Sequence, residues 1–284
     1  MKYQVIAFDL DGTLLNSQGQ ILPASKEIIQ HCIDKGLKVI LVTGRHHTAA
    51  YPYYHELNLT TPMICCNGTY LYQPQTDQVL SANPLSLLQA KTVVKLAEKY
   101  GLHLLMYSRD AMNYAVLNEH MRKFSQWVQH CPPAVRPHLC QVSDFHALLD
   151  DNETIWKFVI SHPERDTMLK AVQALPPHEF SCEWSWVDRV DIANAGNTKG
   201  ARLLELLNAW HIAPQQVIAF GDNHNDTSML TAVGLGVAMG NAENEVKQQA
   251  DLITLTNDEN GIASVLSTVL DESPCNNQEL KSAL

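Results

Sequence analysis

A short apolar strand that ends in two aspartates constrains this chain more than any other feature. Residues 5–16 read VIAFDLDGTLLN, so four apolar residues run directly into Asp9 and Asp11, followed by Gly12 and Thr13. A continuous apolar run of this length is typical of a strand that is covered on both faces, as in a parallel α/β sheet. Such sheets bind ligands beyond the carboxyl ends of their strands. The paired carboxylates are therefore expected at a functional edge.

The segments that follow alternate between helix and strand. An amphipathic helix is predicted for LPASKEIIQHCIDKG, which has Pro23 near its start and ends at Gly36. The next buried strand is LKVILV, which ends at TGR. A strand, helix and strand in this order predict a parallel pair with a right-handed connection. The pattern returns after residue 195. A predicted helix, TKGARLLELLNAW, places Leu203, Leu204, Leu207 and Trp210 on one face. The strand QVIAF ends at Gly221 and Asp222.

The middle of the chain has a different organisation. Between residues 84 and 187, segments with strand propensity (GLHLLMYS, NYAVLN, WKFVIS) are separated by helical stretches, which indicates an α+β layer. We therefore predict one α/β core with a parallel sheet, formed by residues 1–82 and 189–284, and an inserted α+β domain, residues 83–188. Residues 272–284 are polar and are expected to form a frayed tail.

Composition limits the possible partners. The net charge of −10, from 30 acidic and 20 basic residues, argues against nucleic acid or an anionic membrane as the main partner. No stretch approaches the roughly 18 apolar residues that a membrane span needs, and the first apolar run stops at Asp9, too early for a signal peptide. Seven cysteines without a CxxC pair indicate free thiols in a reducing compartment, so we expect a cytoplasmic protein.

Four pieces of the predicted core fall at strand ends or helix starts and could meet at one edge. They are Asp9 with Asp11, Thr43 with Gly44, Lys199, and Asp222. Carboxylates brought together repel one another unless a divalent cation neutralises them, and a small number of oxygen ligands suits Mg²⁺. Lys199, Thr43 and Gly44, with a helix expected to start at Gly44, offer donors for a phosphate group. Each piece alone is compatible with an ordinary turn, cap or surface residue.

Taken together, the pieces resemble a known family. DLDGTLL, VTGR, GNTKG and GDNHND are similar to the four signature motifs of the haloacid dehalogenase (HAD) superfamily, and in particular to its Cof-type phosphatases, which carry a large α/β cap between the second and third motifs. The resemblance covers nearly the whole chain. TGRHH, ICCNGTYLY, CEWSW and VDIA further resemble the pyridoxal phosphate phosphatase branch of that group.

The resemblance implies a HAD-like Rossmannoid fold and a Mg²⁺-dependent phosphatase that forms an aspartyl phosphate. Asp9 would be the nucleophile and Asp11 the general acid and base. The implied metal site consists of the Asp9 side chain, the Asp11 carbonyl, Asp222 and Asn223. The implied phosphate site consists of the Leu10 amide, Thr43, Gly44, Lys199 and Asn225, and Asp226 would orient Lys199 or a metal-bound water. Expected substrates are small phosphomonoesters, pyridoxal phosphate or sugar phosphates.

Further residues are candidates for substrate contact or for packing. Arg45 and His46 follow the second motif, and Asn67 and Gly68 follow another probable strand, so all four are possible substrate contacts. Alternation in CEWSW predicts that both Trp184 and Trp186 point to one face of a strand, where core packing is favoured over stacking on a substrate ring. Tyr107 and Tyr114 are further candidates for an aromatic wall. GLGVAMG, residues 234–240, lacks the spacing of a dinucleotide loop.

Two other functions remain open at this point. A phosphotransferase or phosphomutase would use the same nucleophile and pass the phosphoryl group to a sugar, and a non-catalytic module would only bind a phosphorylated metabolite. A P-type pump shares the aspartyl phosphate, but the sequence has no transmembrane segments. The oligomeric state is left open.

Overall fold

The computed structural model describes residues 2–150, 153–186 and 188–271. The predicted polar tail 272–284 and the side chain of Trp186 lie outside this part of the chain. The structure divides into two compact units. The first unit consists of Met1–Gly44, Tyr53–Gln78 and Thr198–Leu284, and the second consists of Arg45–Pro52 and Val79–Asn197.

The elements follow one another along both units. The strands are, in chain order, β1 (Val5–Phe8), β2 (Lys38–Leu41), β3 (Met63–Cys65), β4 (Tyr70–Gln73), β5 (Gln78–Ala82), β6 (His103–Ser108), β7 (Met112–Tyr114), β8 (Leu139–Gln141), β9 (Ile155–Ser161), β10 (Phe180–Trp186), β11 (Arg189–Asn194), β12 (Val217–Gly221), β13 (Leu235–Ala238) and β14 (Leu252–Ile253). The α-helices are α1 (Pro23–Asp34), α2 (His47–Glu56), α3 (Leu87–Tyr100), α4 (Glu119–His130), α5 (Phe145–Asp150), α6 (Arg165–Gln173), α7 (Lys199–Ala209), α8 (Thr227–Leu230), α9 (Asn244–Gln249) and α10 (Gly261–Asp271).

The first unit is built on a five-stranded parallel sheet with the order β14-β13-β12-β1-β2. Strand β1, which lies between β12 and β2, is fully buried. Its residue Phe8 aligns with Phe220 of β12, and the two rings stack with 5.1 Å between their centroids. Because the strands are parallel, β1, β2 and β12 end at the same edge. The residues that follow them, Asp9, Thr43 and Asp222, are thereby delivered to one place.

Helix α7 shows where the predicted apolar face was misjudged. Leu203, Leu206 and Leu207 are buried in the core of the first unit, whereas Leu204 is 38% exposed. Positions three and four apart share a helix face, so Leu206 and Leu207 lie beside Leu203, and Leu204 falls on the flank. The helix itself lies where the sequence predicts it.

The second unit contains a six-stranded sheet with the order β10-β11-β9-β6-β7-β8, antiparallel except for the β7–β8 pair. Alternate residues of β6 serve two cores. Leu104 and Met106 pack in the cluster that includes α3 and α6, while Leu105 packs with Met121 of α4. This alternation follows from the period of two of a β-strand and gives the sheet a helical layer on each face. The predicted fold class, an α/β parallel sheet with an additional α+β part, is confirmed.

The boundaries of the second unit differ from the predicted insertion, residues 83–188. Strand β11, which the prediction assigned to the core, pairs with β9 and β10 inside the six-stranded sheet. The short segment Arg45–Pro52 also belongs to this unit. Both features depend on contacts between distant segments, which a pattern of local hydropathy does not contain.

Among the described residues, no helix is both long enough and apolar enough to cross a bilayer. The six cysteines in this part of the chain are free thiols, and Cys275 falls in the tail that is not described.

Candidate active site

The turn after β1 separates its two aspartates by environment. Asp9 is buried, and its backbone N–H donates to the Phe220 carbonyl at 3.1 Å, whereas Asp11 is exposed. The Leu10 carbonyl accepts from the N–H groups of Thr13 and Leu15 at 3.3 and 2.8 Å, which closes the turn. The Asp9 carboxylate is therefore shielded from water and the Asp11 residue is in contact with it, and this difference suits two different chemical roles.

Gly12 allows this turn to approach the end of β12. Its backbone has φ of +82°, and a Cβ atom built there would lie 2.3 Å from Asp222 Oδ2. Thr13 donates its hydroxyl hydrogen to Asp222 Oδ1 at 2.7 Å. A side chain at position 12 would occupy the space of the Asp222 carboxylate, so glycine is required by contact as well as by conformation.

Lys199 joins two of the carboxylates. It is the first residue of α7, which Thr198 caps by accepting from the Ala201 N–H at 3.1 Å. The Lys199 Nζ atom lies 2.6 Å from Asp9 Oδ1 and 2.6 Å from Asp226 Oδ1, with its side chain fully buried. A buried ammonium group requires such partners.

The loop after β12 is organised by Asp226. Its Oδ2 atom accepts from the backbone N–H groups of Asp222 and Asn223, both at 3.0 Å, while Oδ1 accepts from Lys199. Asn223 Oδ1 accepts from the His224 N–H at 2.7 Å. The Asn223 side chain therefore caps its own loop in this structure, and Asp226 supplies a carboxylate at the centre of the site.

The charges of this cluster are strongly coupled. Burial raises the pKa of Asp9 well above its usual range, and the neighbouring carboxylates Asp226, Asp222 and Asp11 add to this, although Lys199 acts in the opposite direction. Burial and Asp226 raise the pKa of Asp222 to about 7. Burial disfavours the charged form of Lys199, but the ion pairs with Asp226 and Asp9 outweigh it and raise its pKa. The group carries more negative charge than Lys199 alone offsets.

The donor atoms of the site fit a hard divalent cation. Asp9, Asp222 and Asp226 each bring a carboxylate oxygen within 4.8 Å of the others. The Asn225 Oδ1 atom is buried and has no hydrogen-bond partner among the described residues, and such an oxygen requires a donor or a cation. The oxygen atoms of the three carboxylates are the kind of ligand that suits Mg²⁺. The cluster includes Asp226, which the sequence suggested only as a supporting residue. Its position four residues after Asp222 was the available signal.

The segment after β2 meets the loop that carries Asn67. The Asn67 N–H donates to the Thr43 carbonyl at 3.0 Å, and Asn67 Oδ1 accepts from Asn225 Nδ2 at 3.1 Å. A Cβ atom at Gly44 would lie 2.8 Å from Asn67 Oδ1. Thr43, Gly44, Asn67 and Asn225 therefore lie together, as neighbours of one another in the first unit.

Gly68 has a packing role in this loop. It has φ of +91°, and a Cβ atom there would lie 2.2 Å from the Thr198 carbonyl oxygen. Arg202, one turn along α7 from Lys199, donates from Nε to the Gly68 carbonyl at 2.9 Å. The loop is therefore held against the start of α7. Gly68 and Asn67 remain predictions as substrate contacts.

One local prediction at this edge is wrong. The helix expected to start at Gly44 is α2, which begins at His47, and the first helical N–H groups, of Ala49 and Ala50, donate to the His46 carbonyl. His46 therefore occupies the capping position, two residues closer to α2 than Gly44 is.

Arg45 and His46 belong to the second unit. The Arg45 guanidinium lies 5.2 Å from the ring centroid of Trp127, and Nη1 donates to the Ala49 carbonyl at 3.3 Å. His46 is fully buried, and its ring nitrogens are 2.9 Å from Thr48 Oγ1 and 3.0 Å from the Ser108 carbonyl oxygen. The His46 ring thus makes its polar contacts inside its own unit.

The aromatic candidates of the second unit pack within it. Trp184 lies against the cluster that includes α3 and α6, with the Arg165 guanidinium 4.4 Å from its ring centroid, which agrees with the favoured packing role. A register shift in β10 between Trp184 and Trp186 interrupts the simple alternation on which the same-face prediction rested. Tyr114 is buried, and the Tyr107 ring is flanked by His46 at 5.9 Å, edge to face.

The chain is similar in sequence to known phosphatases and hydrolases. A family model described as haloacid dehalogenase-like hydrolase matches residues 6–266. Pyridoxal phosphate phosphatase YbhA of Escherichia coli strain K12 is 42% identical over 271 residues, covering 94% of this chain and 98% of that protein.

Solved structures agree in fold. A haloacid dehalogenase-like hydrolase from Bacteroides thetaiotaomicron superposes with a TM-score of 0.83 at 25% identity, covering 94% of this chain and all of its own. A sugar phosphatase of HAD subclass IIB superposes with a TM-score of 0.80 at 23% identity, covering 94% of this chain and 98% of its own. The resemblance seen in the motifs is confirmed, and this chain belongs to the haloacid dehalogenase-like hydrolase family.

Proposed function

We propose that this phosphoric monoester hydrolase uses Asp9 as a nucleophile and Mg²⁺ as its cofactor, and that pyridoxal phosphate is its substrate. The observation that carries the chemistry is the position of Asp9, which is buried at the end of β1 and bonded to Lys199 Nζ at 2.6 Å, beside Asp222 and Asp226. A carboxylate that contacts a buried lysine and lies beside two further carboxylates able to bind a metal ion is suited to in-line attack on phosphorus.

The proposed reaction has two steps at the same phosphorus atom. A carboxylate oxygen of Asp9 forms a bond to phosphorus as the bond to the ester oxygen breaks, and Asp11 transfers its proton to that leaving oxygen. Water then attacks the aspartyl phosphate, Asp11 accepts a proton from it, and the bond between Asp9 and phosphorus breaks to release inorganic phosphate. Exposure of Asp11 supports this part, because the water that attacks the aspartyl phosphate must be able to reach the Asp11 carboxylate.

Lys199 and the amide groups at the sheet edge are proposed to hold the phosphoryl oxygens. Lys199 stays protonated because two carboxylates surround it, so it offers a constant positive charge. Asp9 and Asp222 are candidates to hold Mg²⁺, with the Asp11 carbonyl and Asn223 as the further ligands that the family resemblance implies. When bound, Mg²⁺ supplies positive charge that lowers the pKa values of these carboxylates and favours the ionised nucleophile.

Two observations support pyridoxal phosphate as the proposed substrate. The 42% identical relative is named for that activity, and the stretches TGRHH, ICCNGTYLY, CEWSW and VDIA resemble that branch. Sugar phosphates are the second candidate class. We further propose that the protein acts in the cytoplasm on a small phosphorylated metabolite and has no nucleic-acid or membrane partner, since the chain carries a net charge of −10.

A substrate panel tests these proposals. Pyridoxal phosphate, erythrose 4-phosphate, hexose phosphates and flavin mononucleotide are compared by kcat/KM with Mg²⁺, and again after chelation. We expect pyridoxal phosphate to rank first and chelation to stop turnover. A rank near the bottom would refute the substrate, and activity that survives chelation would refute the cofactor. Transfer of phosphate to an added sugar, in place of release, would identify a phosphotransferase, and no turnover of any ester would favour a binding module.

A further inference from the structure

We propose that Asn67 is a positioning residue for Asn225, so that the loop after β3 sets the phosphate-facing end of the loop after β12. This inference rests on the proposed function. It assigns Asn67 a role through another side chain, different from the direct substrate contact that the sequence suggested.

The contact between the two asparagines fixes the orientation of Asn225. Asn67 Oδ1 is an acceptor only, so the atom of Asn225 that faces it at 3.1 Å is the amide nitrogen. The other end of the Asn225 amide, Oδ1, is then the buried oxygen that has no partner among the described residues. Without the Asn67 acceptor, the Asn225 amide would lose the hydrogen bond that holds it in this orientation.

Asn67 is held in place by its backbone. Cys66, Asn67 and Gly68 have φ values of +50°, +56° and +91°. Residues with a side chain rarely adopt this left-handed backbone conformation. Such a conformation persists only where the surroundings maintain it. Here the Asn67 N–H donates to the Thr43 carbonyl, and Arg202 donates to the Gly68 carbonyl.

The loop therefore contacts three of the segments that the family resemblance assigns to phosphate. It reaches Thr43 through its backbone, it packs on Thr198 beside Lys199 through Gly68, and it reaches Asn225 through the Asn67 side chain. Gly44 leaves the space that Asn67 Oδ1 occupies, since a Cβ atom there would be 2.8 Å away. Asparagine is one of the few residues that tolerate a left-handed backbone and also present a side-chain acceptor. These two requirements account for the residue type.

A double-mutant cycle tests whether Asn67 acts through Asn225. Asn67→Gly removes the acceptor and keeps a residue that accepts positive φ, and Asn225→Ala removes the amide that it holds. We expect Asn67→Gly to lower kcat/KM for pyridoxal phosphate by about 10- to 100-fold, since small misplacements in a site have effects of this size. In the Asn225→Ala background the same change should cost less than about twofold, because interacting residues are not additive. The inhibition constant of inorganic phosphate should follow the same pattern.

Asn58→Gly is the matched control. Asn58 also has a left-handed backbone, with φ of +50°, and is exposed outside the site. Its substitution should leave kcat/KM and the inhibition constant within about twofold of the wild type, because it changes the same type of residue in the same conformation.

The outcomes distinguish failure of the Asn67 role from failure of the proposed phosphatase function. Equal losses from Asn67→Gly in both backgrounds, with an active wild type, would overturn this inference and leave the proposed function standing. A wild type that hydrolyses no phosphomonoester would overturn both. If Asn67→Gly does not fold, Asn67→Asp replaces it, since aspartate keeps the acceptor and tolerates positive φ. Its kcat should stay within about threefold of the wild type while KM rises from the added negative charge, and a fall in kcat as large as that of Asn225→Ala would contradict the proposal.

Discussion

Lys199 and Asp226 form a completely buried ion pair, with Nζ 2.6 Å from Oδ1 and neither side chain exposed. Removing Asp226 takes away one of the two carboxylates that contact Lys199. It also leaves the N–H groups of Asp222 and Asn223 without their acceptor. We expect Asp226→Ala to lower the free energy of unfolding by about 3 to 5 kcal/mol, measured by urea denaturation. Glu119→Ala, which removes the exposed partner of Lys123, should leave stability unchanged within error. Similar small effects for both variants would mean that the buried pair is not held as the structure shows.

Gly12 is predicted to be required for the contact between the first turn and Asp222. Gly12→Ala places a Cβ atom 2.3 Å from Asp222 Oδ2, so the carboxylate must move, and kcat/KM should fall by about 100-fold. Gly19→Ala is a matched control, because Gly19 also has positive φ, +72°, and its Cβ atom would meet nothing within 4 Å. It should cost about 1 to 2 kcal/mol of stability from backbone strain and leave activity unchanged. Equal activity in the two variants would contradict the close approach.

Asp9→Asn is predicted to abolish turnover while the fold is retained. The amide has nearly the shape of the carboxylate but is not a nucleophile, so kcat should fall by at least about a thousandfold. Asp11→Asn should reduce turnover as well, because the leaving oxygen loses its proton donor. Asp34→Asn, at an exposed position on α1, serves as the control and should behave as the wild type. Near-normal hydrolysis by Asp9→Asn would exclude the covalent mechanism.

The buried histidines of the second unit are predicted to make stability depend on pH. Burial lowers the pKa of His47 to about 3 and the pKa of His46 well below its usual value. In the unfolded chain both take up protons below about pH 6.5, so the unfolded state binds more protons and stability falls as pH drops from that value towards the folded pKa. From pH 7.5 to 5.5 each histidine should cost about 1.4 kcal/mol.

The test compares variants, because the raised pKa values of Asp9 and Asp222 act in the opposite direction. His46→Gln and His47→Gln should each have a shallower fall in unfolding free energy between these pH values than the wild type. His178→Gln, whose side chain is 79% exposed, should keep the wild-type slope. Parallel slopes for all four proteins would show that the two rings take up protons equally in the folded and unfolded states, which would contradict the prediction.

Much of the first unit followed from local patterns. The apolar runs predicted β1, β2 and β12, and parallel topology then required Asp9, Thr43 and Asp222 to meet at one edge, as they do. The extent of the second unit was harder to predict from the sequence, because strand β11 and helix α4 contact partners far along the chain. Strand pairing between distant segments has no signature in a short window of sequence.

The amino-acid sequence by itself determined which groups are available at the sheet edge: two aspartates after a buried strand, a lysine at a helix start and a polar loop after β12. Their residue types and spacing were sufficient for the family resemblance. The tertiary structure decided which groups touch. It brings Asp226 into the carboxylate cluster, joins Asn67 to Asn225 across 158 positions of sequence, and buries the His46 ring. These contacts depend on side-chain direction and on packing between segments, and neither quantity is contained in the local order of residues.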